Sequence, residues 1–299
     1  MKRVLKWIAI IVGALLLLIL LGIGGLVVNA QMRLGKTYAV TPPAVTIPTA
    51  PDALAEGQRL ATIHCTGCHG ENLAGAPVFD DPALGHIDAS NLTPGNGGVG
   101  GRYTDGDWVR AIRHGIDANG KGLLIMPSAE YNAMNDADLG NLIAYLKTLP
   151  PVDTPPHQRT LTPLVHVLFA AGAMGNSLTA EIIDHTAARP NSPAPGANVE
   201  YGHYLATIGG CHSCHGKDLA GGPNADPGGP PGPNLTAGGE LGGWSEAGFI
   251  QAMRTGVTPS GRAIGEWMPW KQMGQMNDME LKALWSYLQA QPKLTSAAQ

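Results

Sequence analysis

Two short segments contain all four cysteines of the chain, Cys-Thr-Gly-Cys-His at residues 65–69 and Cys-His-Ser-Cys-His at residues 211–215. In each segment the two thiols are three positions apart, and a histidine directly follows the second thiol. Cysteine pairs with this spacing occur in zinc sites, in dithiol redox enzymes and at sites of covalent haem attachment. These alternatives differ in what else they require of the sequence.

Haem attachment is the alternative that uses every residue of both segments. Zinc would need further ligands, and two cysteine pairs about 146 residues apart do not match the usual finger spacings. A dithiol redox motif is expected beside a βαβ pattern, which is missing from this sequence. In haem attachment the two thiols bond the two vinyl groups, and the adjacent histidine becomes the proximal iron ligand. The sequence therefore predicts two covalently bound haem c groups, held by Cys65, Cys68 and His69 and by Cys211, Cys214 and His215.

Each haem iron also needs a sixth ligand, for which a methionine in each half of the chain is the candidate. Met126 and Met268 follow His69 and His215 by 57 and 53 residues, and each is followed by a proline. A thioether is a soft, neutral ligand suited to haem iron, and proline restricts the backbone that carries it. We therefore expect His69 and Met126, and His215 and Met268, to bind the two irons. His86 and His114 are the alternative sixth ligands that the sequence leaves open.

The cysteine segments belong to a longer internal repeat. Residues 56–75 align with 201–221, 101–115 with 242–256, and 134–146 with 276–288, in the same order and at similar spacing. An Asn-Leu-Thr triplet at residues 91–93 returns at 234–236. One module of roughly a hundred residues has thus been duplicated, at 52–150 and 198–291.

Helical signals dominate both modules. A short helix leads into each cysteine pair, a middle helix is expected at about 104–114 and 245–255, and a last helix at about 136–148 and 278–290. Asn135 and Asn277 precede the last helices, with an acidic residue three positions on, as in a capping box. Alternating β-branched residues are scarce, so the predicted fold class is all-α.

The N-terminus has the features of a membrane anchor. Three basic residues precede a charge-free run from Trp7 to Val28. As a helix this run is about 33 Å long, enough to cross a bilayer core and longer than the apolar part of most signal peptides. Small residues ending at Ala30 leave open a signal that is cleaved there. We expect an uncleaved anchor at 1–30, with both modules outside the cytoplasmic membrane, where haem attachment takes place in bacteria.

Three segments lie outside the anchor and the modules. Residues 31–51 are proline-rich and predict either a stiff spacer that lifts the first module off the membrane or a loop lying on that module. The linker at 151–197 contains an apolar stretch, 161–174, that is too short to span a membrane and is expected to pack between the modules, with bilayer contact as the alternative. Its exit at 190–196 is expected to be flexible, and residues 292–299 form a C-terminal tail.

Charge excludes one large class of function. The chain has 19 basic and 23 acidic side chains and a net charge of −4, so nothing in its composition indicates nucleic-acid binding.

The order CxxCH, Met-Pro and closing helix resembles class I cytochrome c, here present twice. The triplet Asn-Leu-Thr and the Arg-x-Gly end of the middle helix resemble, more narrowly, the multi-haem cytochrome subunits of bacterial membrane-bound alcohol and aldehyde dehydrogenases. Those subunits commonly have three modules and a C-terminal membrane segment. This chain shows two modules and an N-terminal apolar span, so the resemblance does not identify the enzyme partner. It implies that Arg113 and Arg254 pair with haem propionates and that Trp108 or Trp244 lines a haem edge.

Two functions are consistent with these residues. Irons with both axial positions filled can only exchange electrons, which predicts a relay between a quinol-oxidising or dehydrogenase complex and a soluble carrier or terminal oxidase, and not an enzyme. The alternative is a di-haem enzyme, such as a peroxidase or a thiosulfate dehydrogenase, in which one iron has an open or displaceable ligand.

Overall fold

A computed structural model of the chain describes residues 1–187, 192–224 and 229–297. Part of the expected flexible exit, residues 190–191, and the last two residues of the C-terminal tail lie outside the described residues. The described part is largely helical, which confirms the predicted fold class. Its helices are α1 (Lys2–Gly35), α2 (Pro51–His64), α3 (Thr66–His69), α4 (Asp105–His114), α5 (Ser128–Tyr131), α6 (Asp136–Leu146), α7 (Pro163–Ala170), α8 (Val199–Ile208), α9 (Cys211–His215), α10 (Glu246–Thr255), α11 (Trp270–Met273) and α12 (Asp278–Ala290).

Helix α1 is 34 residues long and continues beyond the apolar run, as far as Gly35. Its charge-free part is exposed along nearly its whole length, and it is long and apolar enough to cross a membrane. The segment after it does not lift the first module away. Val45 and Ile47 pack against the core of that module, so this part of the chain lies on the module and the stiff-spacer alternative is wrong.

Both modules are organised by the crossing of their first and last helices. Helix α2 packs on α6 in module 1, and α8 packs on α12 in module 2. Gly57 stands at the first crossing, where an added Cβ would lie 1.9 Å from the carbonyl oxygen of Asn141. Gly202 occupies the equivalent place in the second crossing, 2.0 Å from the carbonyl oxygen of Ala283 by the same construction. The absence of a side chain lets the two helix backbones approach closely.

The last helices begin as the sequence predicts. The Asn135 side chain accepts a hydrogen bond from the Asp138 amide, and Asn277 forms a complete capping box with Glu280. Helix α12 covers the predicted 278–290, whereas α6 ends at Leu146, two residues before the expected end. Two prolines at 150–151 follow, and proline disfavours helical backbone in the residue before it.

A small antiparallel sheet departs from the purely helical expectation. Strands β1 (Pro77–Asp81) and β2 (Gly85–Asp88) form a hairpin in module 1, and β3 (Arg159–Leu161) from the linker pairs with β2. A Cβ on Gly85 would meet the Thr160 carbonyl oxygen at 2.1 Å, so glycine permits this pairing. The strands are three to five residues long, too short to produce a clear alternating pattern in the sequence.

The apolar stretch of the linker does not pack between the modules, so that expectation is wrong. Helix α7 packs on the C-terminal turns of α1 instead. Phe169 and Leu178 form a small core with Ala30 and Leu34 of the anchor helix. Phe169 finds an apolar partner on α1 because α1 remains helical past the end of its charge-free run.

The modules contact each other through equivalent positions. Arg59 of module 1 pairs with Glu280 of module 2 at 2.5 Å, and Tyr204 of module 2 donates a 2.5 Å hydrogen bond to Asp138 of module 1. In the repeat alignment Arg59 corresponds to Tyr204 and Asp138 to Glu280. The two pairs therefore relate the modules as an isologous interface relates the subunits of a dimer.

The glycines at the helix crossings generate a first prediction. Gly57→Ala or Gly202→Ala places a methyl group well within van der Waals contact distance of a backbone oxygen, so each should lower the free energy of unfolding of its own module by about 3 kcal/mol. Gly106→Ala is the matched control, because its Cβ would meet only the Thr104 hydroxyl at 3.9 Å. Chemical denaturation of the haem-loaded protein measures all three variants. Equal stability of Gly57→Ala and Gly106→Ala would contradict the close crossing.

The interface generates a second prediction. Glu280 is only 3% exposed, so Arg59→Ala leaves a buried carboxylate without its cationic partner. The loss should be about 3 kcal/mol. Tyr204→Phe should cost about 2 kcal/mol, because it removes the hydroxyl that donates to Asp138 and accepts from Asn135 but leaves the Asp138 carboxylate its hydrogen bond from Asn135. The double variant Arg59→Ala/Glu280→Gln should recover part of the loss, and no recovery would show that the charge pair is not the cause.

Candidate functional site

The cysteine segments are short helical turns that follow the first helix of each module. In module 1 the Cys65 amide donates to the Ala61 carbonyl at 2.8 Å, and the His69 amide donates to the Cys65 carbonyl at 2.9 Å. Helical geometry places residues at i, i+3 and i+4 on one face. Both thiols and the histidine of each module therefore project to the same side.

Two of the four thiols, Cys65 and Cys211, lie in surroundings that disfavour redox and zinc chemistry. Burial, with a smaller contribution from the neighbouring cysteine, raises the pKa of Cys65 and of Cys211 to about 12. Dithiol enzymes and zinc sites use thiolates, and their surroundings lower the cysteine pKa. Here the surroundings keep the sulfur protonated.

The last histidine of each cysteine segment is fixed in one tautomer. Nδ1 of His69 lies 2.7 Å from the Ser90 carbonyl oxygen, and Nδ1 of His215 lies 2.8 Å from the Pro233 carbonyl oxygen. A carbonyl can only accept, so Nδ1 carries the proton and Nε2 is left as the nitrogen that can bind a metal. Burial lowers the pKa of both rings and the carbonyl contacts raise it in part, which favours the neutral imidazole.

The carbonyl groups beneath the histidines are held by the Asn-Leu-Thr triplets. Asn91 directly follows Ser90, and its side-chain amide donates to the Val152 carbonyl at 2.7 Å. Asn234 directly follows Pro233 and donates in the same way to the Leu294 carbonyl at 2.8 Å. Both asparagines are buried. The triplets thus tie the histidine acceptor loop to the chain that leaves the last helix.

The sequence alone assigns no role to these triplets, or to the leucine that follows each cysteine segment by a few residues. Leu73 and Leu219 occupy equivalent positions, both are buried, and both have left-handed backbone, at φ 57° and 61°. Such a conformation is rare for leucine and is found where the surroundings impose it. The recurrence of Asn-Leu-Thr at the same place in both modules was the signal that could have revealed the acceptor loop.

The second module shows the predicted iron ligands around one cavity. Its volume is about 360 Å³, within the range of small-molecule and cofactor sites. The residues that line it include both predicted ligands and aromatic side chains, namely Cys211, Cys214, His215, Met268, Trp244 and Phe249. His215 and Met268 thus face the same cavity.

In the first module Met126 is half-buried and packs, with Cys65, against the module core. The linker is hydrogen-bonded to the backbone of the loop that contains Met126. The Ile125 amide donates to the Ser177 carbonyl at 2.7 Å, and the Thr179 hydroxyl donates to the Met126 carbonyl at 3.3 Å. Ile125 has φ 66°, a strained conformation for a β-branched residue that these contacts help to maintain.

The two predicted propionate partners contact protein groups in the structure. Arg113 is fully buried, and its guanidinium donates to the Met134 carbonyl at 2.6 Å and to the Asp136 carboxylate at 2.5 Å. Arg254 donates to the Gly274 carbonyl and, at 2.8 Å, to the Asp278 carboxylate. Both arginines link the end of the middle helix to the start of the last helix. Pairing with propionates stays a prediction.

Trp108 provides a test of whether module 1 can accept a haem. The side chain is 2% exposed, and its indole N–H has no acceptor among the residues that the structure describes. A buried donor without an acceptor is costly, and a bound group that carries an acceptor would remove the cost. The residues of both modules therefore fit haem.

The alternative histidine ligands contact other side chains in the structure. His86 lies in the small sheet, with Nε2 2.7 Å from the Asp88 carboxylate. His114 lies at the end of α4, with its Nδ1 3.0 Å from Nδ1 of His185.

Comparison with known proteins agrees with this geometry. A sequence model of the family described as cytochrome c matches residues 54–150 and again 199–292. The chain belongs to the cytochrome c family. Membership implies covalently bound haem c, and the two matched regions coincide with the two cysteine–histidine sites.

Several relatives of this cytochrome are subunits of dehydrogenases. It is 30% identical to the fructose dehydrogenase cytochrome subunit of Gluconobacter japonicus over 260 residues, 80% of this chain and 51% of the relative. It is 29% identical to the cytochrome c subunit of a quinone-dependent alcohol dehydrogenase of Gluconacetobacter polyoxogenes over 76% of this chain and 52% of the relative. The gluconate 2-dehydrogenase cytochrome c subunit of Pantoea cypripedii is 36% identical over 31% of this chain and 23% of the relative. The chain spans about half the length of the first two.

The site geometry predicts the number of haems on this cytochrome. The intact protein should carry two covalent haems that remain after extraction with acidified acetone, as measured by intact mass. Cys211→Ala/Cys214→Ala should retain one haem and about half of the haem absorbance per chain, since only the module 2 site loses its thioether bonds. Cys65→Ala/Cys68→Ala is the matched variant for module 1. A wild-type mass with a single haem would contradict the two-site interpretation.

Proposed function

We propose that this cytochrome is a membrane-anchored di-haem protein that relays single electrons from a quinol-oxidising or dehydrogenase complex to a soluble carrier or terminal oxidase. The observation that carries the proposal is the equivalence of the two sites. Each has a CxxCH turn, a histidine whose Nδ1 donates to a backbone carbonyl, and a Met-Pro loop. One chain thus contains two sites built for the same chemistry.

Each haem would be held by two cysteines, one histidine and one methionine. Cys65 and Cys68 would bond the first haem, and Cys211 and Cys214 the second. Nε2 of His69 and of His215 would bind the irons, with the sulfurs of Met126 and Met268 as sixth ligands. When bound, each haem supplies an iron that changes its charge by one electron. With both axial positions filled by protein, the iron has no position for substrate, which favours a relay over an enzyme.

The contact between modules supports transfer within the chain. Ser213 lies between the two cysteines of module 2, and its hydroxyl donates a 2.5 Å hydrogen bond to the Glu130 carboxylate. Glu130 belongs to α5, the turn that begins directly after the Met-Pro pair of module 1. The Met-Pro loop of one module therefore lies beside the cysteine segment of the other. This proximity suits an electron that moves from one module to the next.

The anchor and the location complete the proposal. Helix α1 contains the one span of sufficient length and hydropathy found in the described residues. Ala30, where a signal would be cleaved, is fully buried within this helix against the linker core, which favours an intact anchor. Both modules would then lie on the outer face of the cytoplasmic membrane. The dehydrogenase subunits among the relatives support a membrane dehydrogenase as one partner.

The ligand set provides the test. Oxidised protein should show the weak near-infrared sulfur-to-iron band at an intensity appropriate to two methionine-bound haems. Met126→Ala and Met268→Ala should each remove about half of it and lower the potential of one haem, because a harder ligand replaces the thioether. Met134→Ala is the control, since that methionine belongs to the buried core of module 1.

Carbon monoxide binding and turnover assays distinguish the relay from the enzyme. Reduced wild-type protein should bind carbon monoxide poorly and turn over neither hydrogen peroxide nor thiosulfate. A high-spin haem, or ready binding of carbon monoxide by the wild-type protein, would replace the relay with the di-haem enzyme.

A further inference from the structure

Helix α7 is apolar apart from one histidine, His166, and its two exposed residues, Pro163 and Leu164, are both apolar. Val165 and Phe169 are buried, whereas Leu164 on the other side is 48% exposed. The stretch 161–174 around it contains no lysine, arginine, aspartate or glutamate. Nδ1 of His166 lies 2.8 Å from the Thr162 carbonyl oxygen within the same turn. A helix with so few polar side chains is typical of a protein core or of contact with lipid. Pro163 and Leu164 remain exposed, together with residues 171–173 directly after the helix.

The position of α7 on α1 indicates what covers these exposed residues. Its contacts on α1 include Ala30 and Leu34, just beyond the end of the apolar run at Val28. At 1.5 Å per residue, Leu34 is about 9 Å along the helix from Val28. This distance is comparable to the thickness of the headgroup layer, the depth at which interfacial helices lie.

A rigid connection keeps α7 at this level. The Arg33 guanidinium lies 4.2 Å from the centre of the Phe169 ring and pairs with the Glu181 carboxylate at 2.6 Å. The neighbouring Ile182 is 52% exposed, a second large apolar side chain on the same part of the linker. The cation–π contact and the ion pair hold α7 and the chain that follows it against the anchor.

We infer that residues 161–174 lie in the headgroup layer of the membrane as a second lipid contact, with α7 parallel to the bilayer surface. The inference rests on the proposed anchoring by α1. Its occupant is a lipid surface, because α1 itself continues into that surface from the residues on which α7 packs. A second copy of the chain is the competing occupant.

This contact determines which module lies next to the membrane. The residues directly after the stretch, Ser177 and Thr179, hydrogen-bond the backbone of Ile125 and Met126. The Met-Pro loop of module 1 is thereby held from the membrane side. Module 1 is the membrane-proximal module, and the equivalent loop of module 2 has no such connection to the anchor segment among the described hydrogen bonds.

Thiol protection measures the contact on the full, haem-loaded chain. The native cysteines are consumed by haem attachment, so Leu164→Cys introduces a unique thiol. In phospholipid nanodiscs containing one protein each, it should react with a water-soluble maleimide at least about tenfold more slowly than the thiol of Val257→Cys, since a thiolate forms poorly in the lipid headgroup layer. Val257 is the matched control, as it is 43% exposed on module 2.

Leu18→Cys, in the middle of α1, separates the inference from the anchor on which it rests. If the Leu18→Cys thiol is protected and the Leu164→Cys thiol reacts as fast as that of Val257→Cys, the anchor stands and the second lipid contact is wrong. If neither the Leu18→Cys thiol nor the Leu164→Cys thiol is protected, the anchor is wrong as well. A single protein per disc excludes protection by a second copy, so protection that appears only in crowded vesicles would assign the surface to a dimer.

Discussion

The close crossing of the first and last helices is the constraint on which each module depends. The cysteine segment follows the first helix, directly in module 1 and after Gly209 and Gly210 in module 2, and the loop beneath the histidine is tied to the chain that leaves the last helix. The relative position of thiols, histidine and acceptor carbonyl is therefore fixed only when these two helices meet correctly. Gly57 and Gly202 make that contact possible, because any larger residue would strike a carbonyl oxygen of the opposing helix.

Duplication of the module explains the interface as well as the sites. The helices that cross within each module also present the polar residues that join the modules. In one pair these residues are an arginine and a glutamate, and in the other a tyrosine and an aspartate. Geometry has been kept while chemistry has diverged. Burial raises the pKa of Asp138, which the hydrogen bonds from Tyr204 and Asn135 counteract. In the Tyr204–Asp138 contact a neutral hydroxyl takes the place of the arginine. This contact therefore has one formal charge, whereas the Arg59–Glu280 contact has two.

The modules differ most in what surrounds their methionine loops. In module 1 the linker supplies hydrogen bonds to the loop, and the loop contains a strained isoleucine. In module 2 the residue before the methionine is Trp267, which is half-exposed. The two methionines predicted as ligands thus lie in different loops, one held by the linker and one with an exposed aromatic side chain. Such differences in packing and solvent exposure are among the means by which proteins separate the potentials of similar haems.

The sequence by itself determined the elements that local patterns encode. Spacing and periodicity among neighbouring residues predict the cysteine–histidine turns, the duplicated module, the middle helices, the last helices with their asparagine caps, and the long apolar N-terminal helix. The repeated Met-Pro position was visible for the same reason. What the sequence left open are contacts between residues far apart in the chain. These include the carbonyls under the histidines, the loop of residues 45–47 on the first module, the exchange of pairs between modules, and the docking of α7 on the anchor. The small sheet belongs with them, since its third strand comes from the linker. Only the tertiary structure decided these contacts, because an apolar side chain shows that it will be buried but not which of several apolar surfaces will bury it.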